Sequence, residues 1–174
     1  MTHSSIAYIA LGSNLDNPTE HLQRALNDIA SLTTTQLLKT SKLYRTKPIG
    51  PEQPDIINAV IQIQTNLAPL ALLHALQAIE LAHGRERIIR FGARSLDLDI
   101  LLFDDLQMDD PELIIPHPRM QDRNFVLIPL QDIAPDFHLA PFGHIKDLIA
   151  TNDPEDYVIP LELETFGNHT KPNT

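Results

Sequence analysis

The order of elements along the chain predicts an α+β fold, a ferredoxin-like βαββαβ antiparallel sheet with helices packed on it and C-terminal additions beyond. Three observations predict it. Segments with apolar residues at alternate positions and segments of helical period follow one another as strand, helix, strand, strand, helix, strand. Proline and glycine punctuate the joints between them. The length, 174 residues, suits one ordinary core, so a single domain over 1–166 and a polar tail at 167–174 are expected.

Ile6 to Leu11 is a short apolar run closed by Gly12-Ser13-Asn14, which reads as a buried strand entering a turn. Asp16 or Asn17 is placed to cap a helix with Pro18 in its first turn, and Leu22, Ala25, Leu26, Ile29 and Leu32 form its apolar stripe. Thr35 to Tyr44 reads as a strand of poor alternation. Lys47 to Pro54 holds three prolines, which rules out a regular element there. Ile57, Ala59, Ile61 and Ile63 mark a third strand with one apolar face. Pro69 opens a second helix whose buried stripe is Leu72, Leu73, Leu76, Ile79 and Ala82, and Gly84 ends it. A loop over 85–93 leads to a fourth strand, Ser95 to Phe103.

Beyond this core, 104–112 reads as an acidic turn region, Leu113 to Ile115 as a short strand and Pro116-His117-Pro118 as a rigid corner. Arg119 to Gln131 has helical character that Pro129 must kink or end. A short helix near Ile145 to Ala150 and an edge strand over Tyr157 to Leu163 complete the additions.

Composition narrows the function. With no cysteine, neither a disulfide framework nor a thiolate metal site or nucleophile is available. The formal net charge of −10 sets the long-range field against nucleic acid. The start of the chain lacks a basic n-region and no apolar run approaches the ~18 residues of a membrane span, so the expectation is a cytoplasmic monomer that binds neither nucleic acid nor membrane. Against this acidic background, Arg85, Arg87, Arg90 and Arg94 crowd ten residues. A local positive site in a negative protein suits a small anion.

Asp97 and Asp99 follow at once, alternating with Leu96, Leu98 and Ile100, and the same alternation carries Leu101 and Phe103 onto the aspartate side. Strand geometry sets the two carboxylates roughly 6–7 Å apart on one face. Such a pair repels unless a cation offsets it. A hard divalent ion, Mg²⁺ with substrate phosphates completing its shell, is the natural occupant, and the arginines would hold the rest of a polyphosphate. Gly92 would let the loop close over a ligand and Phe91 would cover it. Taken singly, each arginine reads as surface decoration, and an edge-strand aspartate as a solvated face; the combination is what points to a site.

Other candidates carry less by themselves. His117 is a turn residue with a phosphate contact as its functional alternative, and Arg123 lies close downstream. Asn58 reads as a sheet-surface residue unless it faces a pocket, and Phe125 as core by periodicity. Gln77 and Glu80 leave the second helix on a face near the arginine segment. The remaining histidines show no metal-ligand spacing. The chain contains neither a G-x-x-x-x-G-K-[ST] nor a G-x-G-x-x-G pattern, which excludes a P-loop kinase and gives no support to a dinucleotide fold. A nucleotidyltransferase also uses Asp-x-Asp on a strand, but its Gly-Ser turn lies shortly before the aspartates, whereas Gly12-Ser13 lies most of a domain earlier. A ferredoxin-like effector-binding module has no need of paired aspartates beside four arginines.

Several blocks together resemble one family. They are Ala-Tyr-Ile-Ala-Leu-Gly-Ser-Asn-Leu at 7–15, Tyr-Arg-Thr at 44–46, Gln-Pro-Asp at 53–55 with Asn58, Ile-Glu-Leu-Ala-His-Gly-Arg at 79–85, Gly-Ala-Arg-Ser-Leu-Asp-Leu-Asp at 92–99, and Pro-His at 116–117 with Arg123 and Phe125. In this order, over roughly 5–136, they resemble the 6-hydroxymethyl-7,8-dihydropterin pyrophosphokinases of folate biosynthesis. The resemblance implies a Mg²⁺-dependent kinase that transfers the terminal pyrophosphate of ATP to the pterin hydroxymethyl group and releases AMP. It implies that Asp97 and Asp99 hold two Mg²⁺ ions and that Arg85 and Arg94 steady the transferring phosphates. It places Arg87, His117 and Arg123 at further phosphate contacts and Gln77 and Glu80 along the ATP site. The pterin would meet backbone groups of Thr46 and Ile49, the side chain of Asn58 and the ring of Phe125. No strong general base stands out, which fits catalysis by positioning and electrostatics.

Departures from the family pattern sit around the pterin. Ile56 stands where an aromatic residue is common, so the pterin would lie between one ring and one aliphatic side chain. Lys47 replaces a common proline, Pro118 a frequent tyrosine and Phe91 a common tryptophan, and the arginine loop is one residue shorter than in the member compared.

Overall fold

The computed structural model describes residues 4–48, 54–84, 96–152 and 157–162. In order the elements are β1 (Ser5–Ser13), α1 (Pro18–Ala30), β2 (Thr35–Thr40), β3 (Tyr44–Thr46), β4 (Ile56–Thr65), α2 (Pro69–Gly84), β5 (Leu96–Phe103), β6 (Met108–Asp109), β7 (Ile114–Ile115), α3 (Asn124–Ile133), β8 (His138–Leu139), β9 (Gly143–His144), α4 (Ile145–Thr151) and β10 (Val158–Pro160), with a 3-10 turn at Met120–Asp122 before α3. β1 pairs antiparallel with β4 on one side and β5 on the other. On its far side β4 takes β2 and then β3 end to end, and β10 pairs beyond β3. The order β10-β3-β4-β1-β5 therefore has the expected ferredoxin-like core, extended at one edge by the C-terminal strand.

The strand expected from Thr35 to Tyr44 is interrupted at Ser41. There Ser41 donates its N–H to the Val60 carbonyl at 2.9 Å, while its hydroxyl oxygen accepts from the Val60 N–H at 2.9 Å. A side chain takes a backbone place in the ladder, and the strand divides into β2 and β3.

Helices cover both faces. Against one, Leu22, Leu26 and Ile29 of α1 and Leu72, Leu76 and Ile79 of α2 pack on Ile9, Leu11, Ile61, Ile63 and Ile100. Each such side chain contributes about 1.5–3 kcal/mol when fully withdrawn from water. Against the other, Leu127 and Leu130 of α3 and Ile145 of α4 pack on Val60, Leu101 and Leu102. The additions thus supply the lid that a two-helix ferredoxin-like unit lacks on its second face.

Details differ from the sequence reading for identifiable reasons. Asn17 occupies the N-cap position of α1 with a left-handed backbone (φ 57°) and makes no side-chain cap, while Pro18 does start the helix. In α2, Ala82 is exposed and His83 is buried, completing the stripe at 72, 76, 79 and 83. His83 Nδ1 meets His21 Nδ1 at 2.8 Å and His83 Nε2 lies 3.5 Å from Asp28, so a polar group is accommodated between α1 and α2 by two polar neighbours. α3 runs through Pro129 to Ile133 rather than ending there; the ring is buried, and proline has no N–H to offer the Phe125 carbonyl. In β5 the pairing shifts register between Tyr8 and Ile9, and the phase of the strand changes past Ile100. Phe103 therefore joins Leu96, Leu98 and Ile100 on the α1/α2 face, while Leu101 and Leu102 both pack beneath α3. Among the described residues no helix is long and apolar enough to cross a membrane.

Candidate active site

The α3 face of the sheet is not filled evenly. Register places Gly12 opposite both Asp97 on β5 and Asn58 on β4, and Ala10 opposite both Asp99 and Val60. Paired residues share a face, so the centre of this surface carries the two smallest side-chain positions that β1 presents to it, with carboxylates on one side and an amide on the other. Above it stand the start of α3 and the corner leading to it. The result is a cleft of about 320 Å³ whose lining includes Ala10, Gly12, Asn14, Thr46, Lys47, Ile56, Asn58, Asp97, Asp99, Leu101, His117, Arg123, Phe125 and Val126.

At one end the Thr46 hydroxyl donates to Asn58 Oδ1. That bond orients the amide, leaving its NH₂ group over Gly12, where a Cβ would approach Asn58 Nδ2 to 2.8 Å. Only glycine leaves that space. Ser13 Oγ accepts from the Leu15 N–H at 3.1 Å and shapes the turn after β1, and Asn14 Nδ2 donates to the Pro54 carbonyl at 3.3 Å. The Gly-Ser-Asn turn thus makes room for one cleft residue and ties down the approach to another, Ile56. Phe125 packs on the second core cluster and also lines the cleft, with the Arg123 guanidinium 5.7 Å from its ring centroid.

At the other end Asp97 and Asp99 are exposed to the cleft. Desolvation by the surrounding protein raises the pKa of Asp99; the neighbouring His117 opposes the rise, Asp97 adds to it and Arg123 opposes it. His117 is anchored through its N–H to the Leu101 carbonyl at 2.9 Å, and its Nδ1 lies 2.9 Å from the Pro118 carbonyl. A carbonyl only accepts, so Nδ1 carries the hydrogen. Glu80 approaches from α2 around the sheet edge, where its carboxylate accepts the outward N–H of Leu98 at 2.7 Å. Burial raises its pKa, the Leu98 bond opposes the rise, and Asp97 and Asp99 add to it. Three carboxylates therefore gather at one edge of β5.

The residues fit a hard cation. Their donors are carboxylate oxygens, and among the described residues no group of three His, Cys, Asp or Glu side chains is arranged as a ready cage. Two carboxylates with remaining positions left to phosphate and water are the usual protein contribution to a Mg²⁺ site.

Eight of the residues expected at a site from sequence, Thr46, Ile56, Asn58, Asp97, Asp99, His117, Arg123 and Phe125, line this one cleft. Gln77 is exposed on α2 and, like Glu80, is not part of the lining. Ile49, Arg85, Arg87, Phe91 and Arg94 lie outside the described residues. Leu101 lies on the aspartate side as the alternation predicts, whereas Ala10 and Val126 escaped the sequence reading, as did the close fit of Gly12 to Asn58, for which the Gly-Ser turn after β1 was the available signal.

Comparison with known proteins accords with this geometry. The model of the 7,8-dihydro-6-hydroxymethylpterin-pyrophosphokinase (HPPK) family matches residues 8–135. The chain is 52% identical over 144 residues to the 2-amino-4-hydroxy-6-hydroxymethyldihydropteridine pyrophosphokinase of Pseudomonas aeruginosa, covering 82% of this chain and 89% of that protein. It is 49% identical over 144 residues to the protein of the same name from Haemophilus influenzae, covering 82% of this chain and 90% of that one. Among solved structures, wild-type Plasmodium falciparum HPPK-DHPS with pteroate superposes with a TM-score of 0.69 at 16% identity, covering 86% of this chain. The chain spans 42% of the length of that protein, and the likeness is one of fold.

Proposed function

We propose, from the premise that this chain belongs to the HPPK family, that the cleft beneath α3 is where its reaction takes place. The chain is a pyrophosphokinase of folate synthesis, transferring pyrophosphate to a hydroxymethyldihydropterin. The finer reading is that ATP is the donor, that Mg²⁺ is required and that AMP leaves. One observation carries it: an amide, an aromatic ring, two carboxylates and two cationic side chains meet in a single cleft.

In this reading the pterin occupies the end formed by Thr46, Ile56, Asn58 and Phe125. Its flat ring lies between the Phe125 ring and the Ile56 side chain, and the Asn58 NH₂ donates to acceptors on the ring edge. Backbone groups of Thr46 and Ile49 complete its recognition by resemblance to the family, with Phe91 over the ring. The hydroxymethyl group then points toward the aspartate end, where the phosphates lie.

There Asp97 and Asp99 would hold two Mg²⁺ ions, which when bound neutralise phosphate charge and make the β-phosphorus more electrophilic. His117 and Arg123 contact phosphate oxygens, and Arg87, Gln77 and Glu80 line the ATP site by family resemblance. Arg85 and Arg94 stabilise the transferring group. The hydroxymethyl oxygen attacks the β-phosphorus and its proton passes to solvent, the bond from that phosphorus to the bridging oxygen breaks, and AMP departs with that oxygen and the bond's electron pair. No strong general base stands out among the described cleft residues, and in this reading the rate comes from alignment and charge. The working unit in this reading is a monomer in the cytoplasm.

The test is incubation with Mg²⁺, ATP and 6-hydroxymethyl-7,8-dihydropterin. AMP forming in step with a diphosphorylated pterin is the expected result. Free pyrophosphate with a nucleotidylated pterin would overturn it.

A further inference from the structure

The end of the chain beyond the family match approaches the pterin end of the cleft from behind. β10 pairs with β3 so that Val158 stands opposite Thr46, and on the other side of β3 Thr46 stands opposite Ile56. One row of three strands therefore runs from the C-terminal addition to two cleft residues. Beside that row, the Tyr157 hydroxyl donates to Asp55 Oδ1 at 2.6 Å, and Arg45 Nε lies 3.6 Å from Asp55 Oδ2. Asp55 immediately precedes Ile56, the first residue of β4.

We infer that Tyr157 is a positioning residue for pterin binding, acting through Asp55 to hold Ile56 in the geometry that receives the ring. It touches no substrate itself; the inference rests on the pterin being bound between Ile56 and Phe125. The physical basis is the position of Ile56 at a strand start. Inside β4 the ladder holds each residue, but at Ile56 the chain has just left a proline-rich segment and the ladder restrains it on one side only. A charge-assisted hydrogen bond to the preceding residue adds a side-chain restraint to the one that Asn14 makes at the Pro54 carbonyl. The use of an aliphatic side chain at this wall increases the need for it, because Ile56 recognises a flat ring only by its distance from Phe125.

Two variants and one control test this by steady-state kinetics with each substrate varied in turn. Tyr157→Phe keeps the ring and removes the hydroxyl; Asp55→Ala removes the acceptor. Both are expected to raise KM for the pterin roughly three- to tenfold, with kcat and KM for ATP within about twofold of the parent and the double variant no worse than the more impaired single one. An unchanged pterin KM in Tyr157→Phe overturns the inference, as does a parallel loss of kcat, ATP affinity and thermal stability. Asn58→Ala is the control for the underlying site. If it raises pterin KM while Tyr157→Phe does not, the positioning role alone fails; if neither variant changes it, the pterin assignment fails with it.

Discussion

Gly12 and Asn58 face each other across β1 and β4, and a Cβ on Gly12 would stand 2.8 Å from Asn58 Nδ2. Gly12→Ala should therefore displace the Asn58 amide and break its bond from Thr46 while leaving the strand itself intact, since alanine fits extended backbone. The expected outcome is a loss of pterin affinity of about tenfold, corresponding to one hydrogen-bonded group misplaced, with Tm changed by only a few degrees. Pterin titration beside thermal melting measures both. A variant that binds pterin as well as the parent would show that Asn58 does not read the ring.

Asp97→Asn and Asp99→Asn should each lower turnover by at least about a hundredfold, the scale of losing one strongly electrostatic contact to a transition state. Neither should unfold the protein. Metal-free Asp97 raises the cost of ionising Asp99, so neutralising either member relieves repulsion. Product formation with excess Mg²⁺ and the melting temperature in chelator check the two halves. Chelator alone should abolish turnover in the parent.

The pH dependence of the metal-free protein has a definite sign. Asp99 and Glu80 are both held above their ordinary values, chiefly by desolvation, so the folded state binds their protons more tightly than the unfolded one. Their contribution to stability is fully present below the ordinary carboxylate range and is lost as pH rises through the raised folded values. Glu80→Gln keeps an acceptor for Leu98 and removes the charge. Its melting temperature should exceed that of the parent at neutral pH, and the difference should disappear in acid.

Tyr44 ties β3 to α3 through a 2.7 Å hydrogen bond from its hydroxyl to Asp132 Oδ2, which also accepts the Lys42 N–H at 3.1 Å. Burial, then this bond and the Asp132 charge, raise the Tyr44 pKa, so the contact persists through neutral pH and is lost only in strong alkali. Tyr44→Phe should cost about 1 kcal/mol in chemical denaturation, because Asp132 keeps its second donor and is not orphaned.

The parts of the fold legible in the sequence were those whose signal repeats. The stripe at Leu22, Ala25, Leu26 and Ile29 and the alternation at Ile57, Ala59, Ile61 and Ile63 each report one buried face several times over, and the structure buries them together. Signals that occur once were less legible. Ser41 breaks a strand by substituting a hydroxyl for a carbonyl, and nothing local distinguishes it from any other strand serine. His83 was one of the histidines without metal-ligand spacing, and nothing local marked it as buried, because its partners, His21 and Asp28, belong to another helix. The strand alternation that correctly grouped Asp97 with Asp99 failed at Phe103, because the register shift depends on how β5 pairs with β1.

By itself the sequence determined the chemistry of the site: which residues carry carboxylate, guanidinium, imidazole, amide and ring, and that two aspartates share a strand face. Side-chain identity and strand period are local properties, so they survive without a structure. Only the tertiary structure decided that these groups share one cleft and that Gly12 and Ala10 leave it open beneath α3. It also decided that the C-terminal strand stands behind Thr46. Those facts depend on register and layer, which arise when segments far apart in the chain bury their apolar faces against one another. A one-residue change in pairing would have turned the same aspartates toward α1 and α2.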